Sequence, residues 1–422
     1  MARLEKLAIK GIKNLTHECI LPFSKKGKVK AIYGVNGAGK TALMLSARVL
    51  KMSVLRKDYV IENRRPLLDI INKSLKSVCI SAVFSEGSRK CLYEIELRIR
   101  ESGVVIASET LHRFTRGAQK TIVYAIKDGS ISYLPNAFPA AFLDETKNLL
   151  SKSSFSSIVF ASESLKGALP KSIDAESISL LWAFANSLQV YLMPGDLLEE
   201  PYEVGFGSGI PESIADELKE VSGNNRHKEL DFILKSDLSR YQDSTKRLAD
   251  FIRLFKPALK DIKVDKHQMR GDVLGVERIF EYADHVSVNS YLESTGIRSL
   301  VSIFPFIQSA VDGQIVFIDE MDANINGVFL SSLIEYLITY CRGQICFTSH
   351  NTGLMSALNA PDNQYGVCFL SPTKGVKAWV KNGHYDPEGQ WIKGFIPGFA
   401  FNFEPLDFYG IFPPPEAFPD AQ

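Results

Sequence analysis

From Gly34 to Thr41 the chain reads Gly-Val-Asn-Gly-Ala-Gly-Lys-Thr, the full Walker A pattern. Gly34, Gly37 and Gly39 let successive backbone N–H groups turn inward around a phosphate, with Asn36 and Ala38 completing the loop, and a helix opening at its end adds favourable charge. In such a loop Lys40 reaches the β- and γ-phosphates and Thr41 holds Mg²⁺ through its hydroxyl, so the chemistry in prospect is binding of ATP with Mg²⁺. Hydrolysis needs acids as well, and these lie far downstream. Gln314-Ile315-Val316-Phe317-Ile318-Asp319-Glu320 is an apolar run that ends in two carboxylates. Asp319 is placed to orient Mg²⁺, directly or through water, and Glu320 to polarise the attacking water as general base. A third apolar run, residues 344–349, ends at His350, where a side chain can sense the γ-phosphate; a structural histidine is the alternative.

These residues need a strand–loop–helix unit and parallel strands to hold them. Residues 29–33 read as a short buried strand and 42–50 as a helix, on either side of the glycine loop. The runs ending at Glu320 and His350 read as central parallel strands with their acids and histidine at the C-terminal tips. Residues 4–11 and 14–22 suggest an antiparallel hairpin beside the core sheet. Residues 76–84 and 91–100 suggest another pair of strands, joined at 85–88, and 124–131 a further hairpin. More than 270 residues separate Lys40 from Asp319. Within that span 144–150 and 173–192 carry helical apolar spacing, and 211–220 opens an amphipathic stretch. A charged linker covers 222–228, and 229–255 reads as one long helix. Sustained heptads are missing, so a packed helical subdomain is expected rather than a coiled-coil arm. Strands at 365–370 and 377–381 precede an aromatic run at 394–403, which reads as core lining or as a subunit contact.

Leu292-Glu293-Ser294-Thr295-Gly296-Ile297-Arg298, shortly before the two acids, resembles the degenerate signature Glu-Ser-x-Gly of ABC-type ATPase heads. With it, the chain resembles the compact ABC-type ATPases of bacterial anti-phage and abortive-infection systems: relatives of the overcoming-lysogenisation-defect proteins and the ATPase subunits (AriA) of PARIS-type immunity. The resemblance covers the opening phrase Ile9-Lys10-Gly11-Ile12-Lys13-Asn14, the Walker A loop, and residues 248–353; over 137–246 it is only general. It implies an α/β fold, a P-loop NTPase with an ABC-type head. That head has a mixed core sheet, antiparallel β hairpins and a mostly helical insertion. The implied divisions are 1–136 and 265–390 for the two parts of the head, 137–264 for the insertion and 391–422 for an aromatic and proline-rich tail. It further implies a head-to-head dimer or larger ring with ATP at the interfaces, where Ser294 and Gly296 cap the γ-phosphate bound to the opposite subunit. Asp322 matches the D-loop acid and His350 the switch histidine. Where many relatives carry a histidine shortly after the acids, this chain has Asp322-Ala323-Asn324-Ile325-Asn326, and no Q-loop glutamine is evident.

Some relatives carry a Toprim nuclease domain after the ATPase, which needs a glutamate and an Asp-x-Asp on neighbouring strands to hold metal. Fewer than seventy-five residues follow His350 and none shows that arrangement. The expected effector is therefore a separate nuclease protein, and in PARIS-like systems the trigger is a phage-encoded mimic of DNA. A DNA-repair ATPase of the recombination or SMC-like kind is the alternative reading. It is kept open by thirteen Lys/Arg against three Asp/Glu in the first sixty residues, a candidate DNA contact or a solvated turn. A net charge of +1 gives no global pull on a polyanion. Six scattered cysteines without a CxxC pair read as free thiols. No apolar signal core and no bilayer-length apolar stretch occurs, so a cytoplasmic protein with no membrane partner is expected.

Overall fold

The computed structural model of the chain describes residues 1–24, 26–115, 119–134, 138–147, 149–162, 165, 173–192, 230–269, 271–380, 386–393 and 396. In chain order the first strands are β1 (Arg3–Lys10), β2 (Cys19–Pro22), β3 (Val29–Tyr33), β4 (Ser77–Glu86), β5 (Arg89–Arg100), β6 (Gly103–Phe114), β7 (Lys120–Lys127), β8 (Ser130–Tyr133) and β9 (Leu188–Tyr191). The later ones are β10 (Asp231–Leu234), β11 (Leu259–Gln268), β12 (Val273–Tyr282), β13 (Ser287–Asn289), β14 (Ile315–Ile318), β15 (Gln344–Thr348), β16 (Val367–Ser371) and β17 (Gly375–Ala378). The helices are α1 (Lys40–Leu55), α2 (Tyr59–Glu62), α3 (Arg64–Ile70), α4 (Ala140–Thr146), α5 (Phe155–Ala161) and α6 (Ile173–Ser187). They continue with α7 (Leu238–Phe255), α8 (Thr295–Val311), α9 (Gly327–Tyr340), α10 (Leu354–Leu358) and α11 (Pro387–Ile392).

The site rests on a six-stranded sheet ordered β17-β16-β3-β15-β14-β9, parallel throughout except for β17. Both faces of its central strands are covered, which is why they read as unbroken apolar runs. Alternation along each strand assigns residues to one face or the other. Ile32, Phe317, Cys346 and Leu370 join the core shared with α1, α5 and α6. Ala31, Tyr33, Val316, Ile318 and Phe347 join the core shared with α7 to α10. Helix α1 is buried from Ala42 to Val54 because it packs against α5, α6 and β9 and also against β1 and β4 of a second sheet. Its apolar residues face these neighbours on several sides, and Arg48 and Lys51 are buried with them.

That second sheet is antiparallel and seven-stranded, ordered β2-β1-β4-β5-β6-β7-β8. A third, small sheet is ordered β10-β12-β11 with β13 on β12. Together with the Walker A strand and helix, this is the α/β architecture of a P-loop NTPase, with antiparallel sheets beside the mixed core sheet. No helix among the described residues is long and apolar enough to cross a membrane.

Three stretches differ from the helices expected of them; the first is 144–150, where helix α4 already ends at Thr146 and Leu149 and Leu150 lie in a turn. Within 173–192, helix α6 stops at Ser187, and Leu188–Tyr191 becomes β9, paired in parallel with β14 from Ile315↔Leu188 to Ile318↔Tyr191. A four-residue strand gives too few positions for its period to stand out against the preceding helix; its pairing partner decides. Within 229–255, residues Asp231–Leu234 are β10, paired with β12, and the helix begins only at Leu238. Consecutive Phe232 and Ile233 are buried in different clusters on opposite faces of the strand, which a helix stripe would not allow. The expected strand over 14–22 is shorter, Cys19–Pro22, and β6 lies in a stretch where no strand was expected. The amphipathic stretch 211–220, the linker 222–228 and the aromatic run 394–403, apart from buried Ile396, lie outside the described residues.

The basic N-terminal stretch is partly turned inward. Lys28 Nζ donates to the Cys341 carbonyl at 2.6 Å, and buried Lys30 Nζ to the Tyr365 carbonyl at 2.6 Å. All six cysteines are free thiols, and burial pushes those of Cys19 and Cys91 up to about 11.

Candidate functional site

The glycine loop links the end of β3 to the start of α1. Val35, Asn36 and Gly37 are exposed at its crest, while Ala38 and Lys40 are buried at its base. Gly39 caps α1 with φ +100°, a left-handed conformation that an L side chain rarely adopts, and a Cβ there would lie 2.6 Å from Leu15 Cδ2. The neighbouring Asn14 amide donates to the Gly37 carbonyl, so the opening Ile9–Asn14 phrase props the phosphate loop from below. Lys40 Nζ folds back onto the loop, donating to the carbonyls of Gly34 at 2.8 Å and Val35 at 3.4 Å. Burial holds its ammonium below the ordinary lysine range, and the carboxylates of Asp319, Glu320 and Asp322 oppose that shift. The cation of one motif therefore feels the acids of the other. Thr41 follows, half-buried, on the first turn of the helix.

The acids stand at the tip of β14, separated from β3 by β15 alone. Asp319 is buried, and its N–H donates to the Tyr191 carbonyl at the end of β9 at 2.9 Å. Its Oδ1 accepts from the Thr348 hydroxyl at 2.6 Å, and the same hydroxyl oxygen accepts from Glu320 N–H at 2.7 Å. One side chain at the tip of β15 thus fixes both acids, using its single donor on one and a lone pair on the other. Glu320 turns off the strand with φ +49°, a conformation uncommon for a non-glycine residue. Thr348 escapes a search for acids and glycines; its only signal in the sequence is a hydroxyl closing an apolar strand.

Asp319 Oδ2 accepts no hydrogen bond among the described residues, and a carboxylate oxygen with the Thr41 hydroxyl is the hard-oxygen donor set that suits Mg²⁺. When bound there, the ion neutralises charge developing on the phosphate oxygens. Glu320 is half-buried, open to a water molecule. Downstream of Thr348, Ser349 N–H reaches the Ile32 carbonyl at 3.3 Å and ties the tip of β15 to β3. Asp322 Oδ2 accepts from the backbone N–H of His350 at 3.0 Å and of Asn351 at 2.9 Å. The expected D-loop acid therefore anchors the turn that carries His350, whose ring is exposed. The ends of β3, β14 and β15 thus gather Lys40, Asp319, Glu320 and His350 at one edge of the sheet, where parallel α/β sheets characteristically bind ligands.

Ser294 and Gly296 take a different place. Ser294 is the N-cap of α8, its Oγ accepting from Ile297 N–H at 3.4 Å, and it is exposed together with Thr295. A Cβ on Gly296 would sit 2.7 Å from the Asn324 carbonyl, so this turn packs closely on the loop after Glu320. No hydrogen bond joins Ser294 or Gly296 to the phosphate loop among the described residues.

Thr348→Val keeps the shape of the side chain and removes the hydroxyl. It leaves Glu320 N–H without its acceptor and Asp319 without its donor. We expect a destabilisation of about 1–3 kcal/mol from the unpaired groups. We also expect phosphate release to slow by about tenfold, because the acids lose their common tether. Thermal unfolding and a steady-state phosphate assay check both.

Comparison with known proteins bears on the family. Among solved structures, the chain is similar at low identity to Smc head domains. That of Pyrococcus furiosus, with an extended coiled coil and bound to the C-terminal domain of ScpA, is 14% identical, covers 90% of this chain and 96% of its own, and has a TM-score of 0.43. The SMC head domain of Thermotoga maritima is 13% identical over 90% and 100% of the two chains, with a TM-score of 0.35. The Smc head with a coiled coil and joint from Pyrococcus yayanosii is 11% identical over 90% and 98%, with a TM-score of 0.44. No curated protein matches the sequence. The profile of the family described as "AAA domain, putative AbiEii toxin, Type IV TA system" matches residues 31–356, from β3 through both sets of motifs to α10. The chain belongs to that family of AAA-domain ATPases of the abortive-infection type.

Proposed function

We propose that this chain is the ATP-binding and ATP-hydrolysing sensor and scaffold subunit of a bacterial anti-phage complex. It controls a separate effector, a nuclease of the Toprim type, in the manner of the ATPase subunit of PARIS-type immunity. Lys40 and the glycine loop hold the phosphates, Thr41 and Asp319 hold Mg²⁺, Glu320 activates water and His350 senses the γ-phosphate. Ser294 and Gly296 serve the nucleotide of a second copy, so that two ATPs lie between two heads. The observation that carries the ATPase part is the convergence of Lys40, Asp319 and Glu320 at one edge of the core sheet, with Asp319 and the backbone of Glu320 tied together by Thr348. The trans role is supported by the exposed N-terminus of α8, where free N–H groups suit an anion supplied from outside. The defence role is supported by the abortive-infection description of the family. Triggering by a phage protein that mimics DNA belongs to the same reading.

The test is the mass of the full chain in solution with and without ATP, together with identification of the proteins that leave the host with it. A dimer or larger ring carrying a separate nuclease chain is the expected result. A monomer that dimerises only with ATP, retains DNA and carries no protein partner would move the function to DNA repair.

A further inference from the structure

The turn that carries Ser294 is suspended from the small sheet by buried polar contacts. Glu293, the residue before Ser294, has a side chain only 3% exposed. Its Oε1 accepts from the Tyr282 hydroxyl, and its Oε2 accepts from Lys256 Nζ at 3.3 Å and from Ser294 N–H at 3.3 Å. Lys256 Nζ also donates to the Tyr282 hydroxyl at 2.8 Å, and the ammonium lies 4.0 Å from the centroid of that ring. A carboxylate taken this far from water is tolerated only with such partners. A second tie runs parallel to the first, since the Asn289 amide donates to buried Glu277 on β12.

The location of the three residues gives the contact a direction. Lys256 is the C-cap of α7, Tyr282 ends β12, and Glu293 precedes the N-cap of α8. The unit built from α7, β11 and β12 therefore ends at the same carboxylate that abuts Ser294. Its packing on the neighbouring helices is apolar: Leu248, Ala249 and Ile252 share their core, Phe251 packs on Phe304 of α8 at 5.3 Å between ring centroids, and Phe255 on Phe329 of α9 at 5.1 Å. Apolar packing tolerates small slides; a buried carboxylate with several directed donors does not.

We infer that Lys256 and Tyr282 are positioning residues for the signature turn, acting through Glu293 to set Ser294 and the first turn of α8 at the nucleotide of a second copy. This rests on the trans reading of Ser294 given above. A displacement of α7 or β12, such as a bound partner would impose, then reaches the composite site through the Glu293 carboxylate, with the Glu277–Asn289 contact beside it. ATP held by the phosphate loop of the same chain is left untouched.

The test compares Lys256→Met, Tyr282→Phe, Lys256→Arg and Ser294→Arg in the full chain by steady-state ATP hydrolysis, with circular dichroism to confirm folding. Tyr282→Phe removes one oxygen and keeps the ring. For Lys256→Met and Tyr282→Phe we expect kcat to fall about tenfold with KM for ATP within about twofold of wild type, since only the trans groups are displaced. Lys256→Arg, which keeps a cation, is expected to retain at least about half of the wild-type kcat. A loss in Lys256→Arg as large as in Lys256→Met would assign the effect to packing and overturn the inference. So would wild-type kcat in Lys256→Met and Tyr282→Phe, or a rise in KM alone. If Ser294→Arg is inactive while those two hydrolyse normally, only the positioning role fails. If Ser294→Arg itself hydrolyses like wild type, the trans reading fails and this inference with it.

Discussion

Glu320→Gln is expected to bind ATP with wild-type affinity and to hydrolyse it at least about a hundredfold more slowly, the range lost when a positioned general base is removed. The substitution replaces a carboxylate oxygen by an amide of the same shape. The backbone of residue 320 stays in place, because its N–H is held by the Thr348 hydroxyl and not by its own side chain. Its half-exposed position means that no buried charge is left unpaired. Binding rests instead on the glycine loop and on Lys40, whose contacts with Gly34 and Val35 do not involve residue 320. Lys40→Ala is the contrasting variant, expected to lose affinity for ATP. Equilibrium binding of a fluorescent ATP analogue and phosphate release from the same preparation separate the two effects. Hydrolysis by Glu320→Gln within about threefold of wild type would remove Glu320 from the role of base, leaving a water positioned by other groups.

The parts of this site that the sequence displays are those whose chemistry restricts residue type. Few residues other than glycine fit the φ of +100° at position 39, and only a lysine at position 40 reaches back over the loop as a cation. The parallel strands around them are equally visible, because burial on both faces demands apolar side chains in succession, as in Ile315–Ile318 and in 345–347. What the sequence hides is settled by tertiary pairing. Leu188–Tyr191 has a strand period too short to register after fifteen residues of helix, and becomes a strand because β14 offers it an edge. Phe232 and Ile233 continue the apolar spacing of α7 and are drawn out of it by β12. Thr348 carries no motif, and its importance lies in two hydrogen bonds to residues 28 and 29 positions away. Strand β6 is concealed for a further reason. Its inward positions are Val104 and Ile106 before an irregularity in the pairing with β5, and Ala107, Glu109 and Leu111 after it, so the alternation by which a half-buried strand is recognised changes phase and then carries an acid.

That same acid sets the other large effect, one on stability. Glu109 is fully buried, and its carboxyl accepts from the hydroxyls of Tyr93 at 3.2 Å, Tyr124 at 2.8 Å and Ser156 at 2.9 Å, and from the N–H groups of Phe155 and Ser156. It thereby joins β5, β6 and β7 to the first turn of α5, whose N-cap Ser154 in turn donates to the Ser53 carbonyl in α1. Glu109→Ala strands these donors in an apolar core and is expected to cost about 3–5 kcal/mol. Glu109→Gln keeps an acceptor and should cost much less. The two forms differ in their response to pH. Burial raises the carboxyl of Glu109 above its ordinary value of 4.5, against the pull of its donors. The folded chain then holds this proton more tightly than the unfolded chain. The contribution is fully present below pH 4.5 and is lost as pH rises through the folded value. Other groups add their own slopes, so the quantity to measure is the difference between wild type and Glu109→Gln in unfolding free energy. Wild type should lose stability relative to the glutamine variant as pH rises from about 4.5, because the amide has no proton to lose. A difference that stays flat, or grows in favour of wild type, would mean that the donors outweigh desolvation and that Glu109 is held ionised in the folded core.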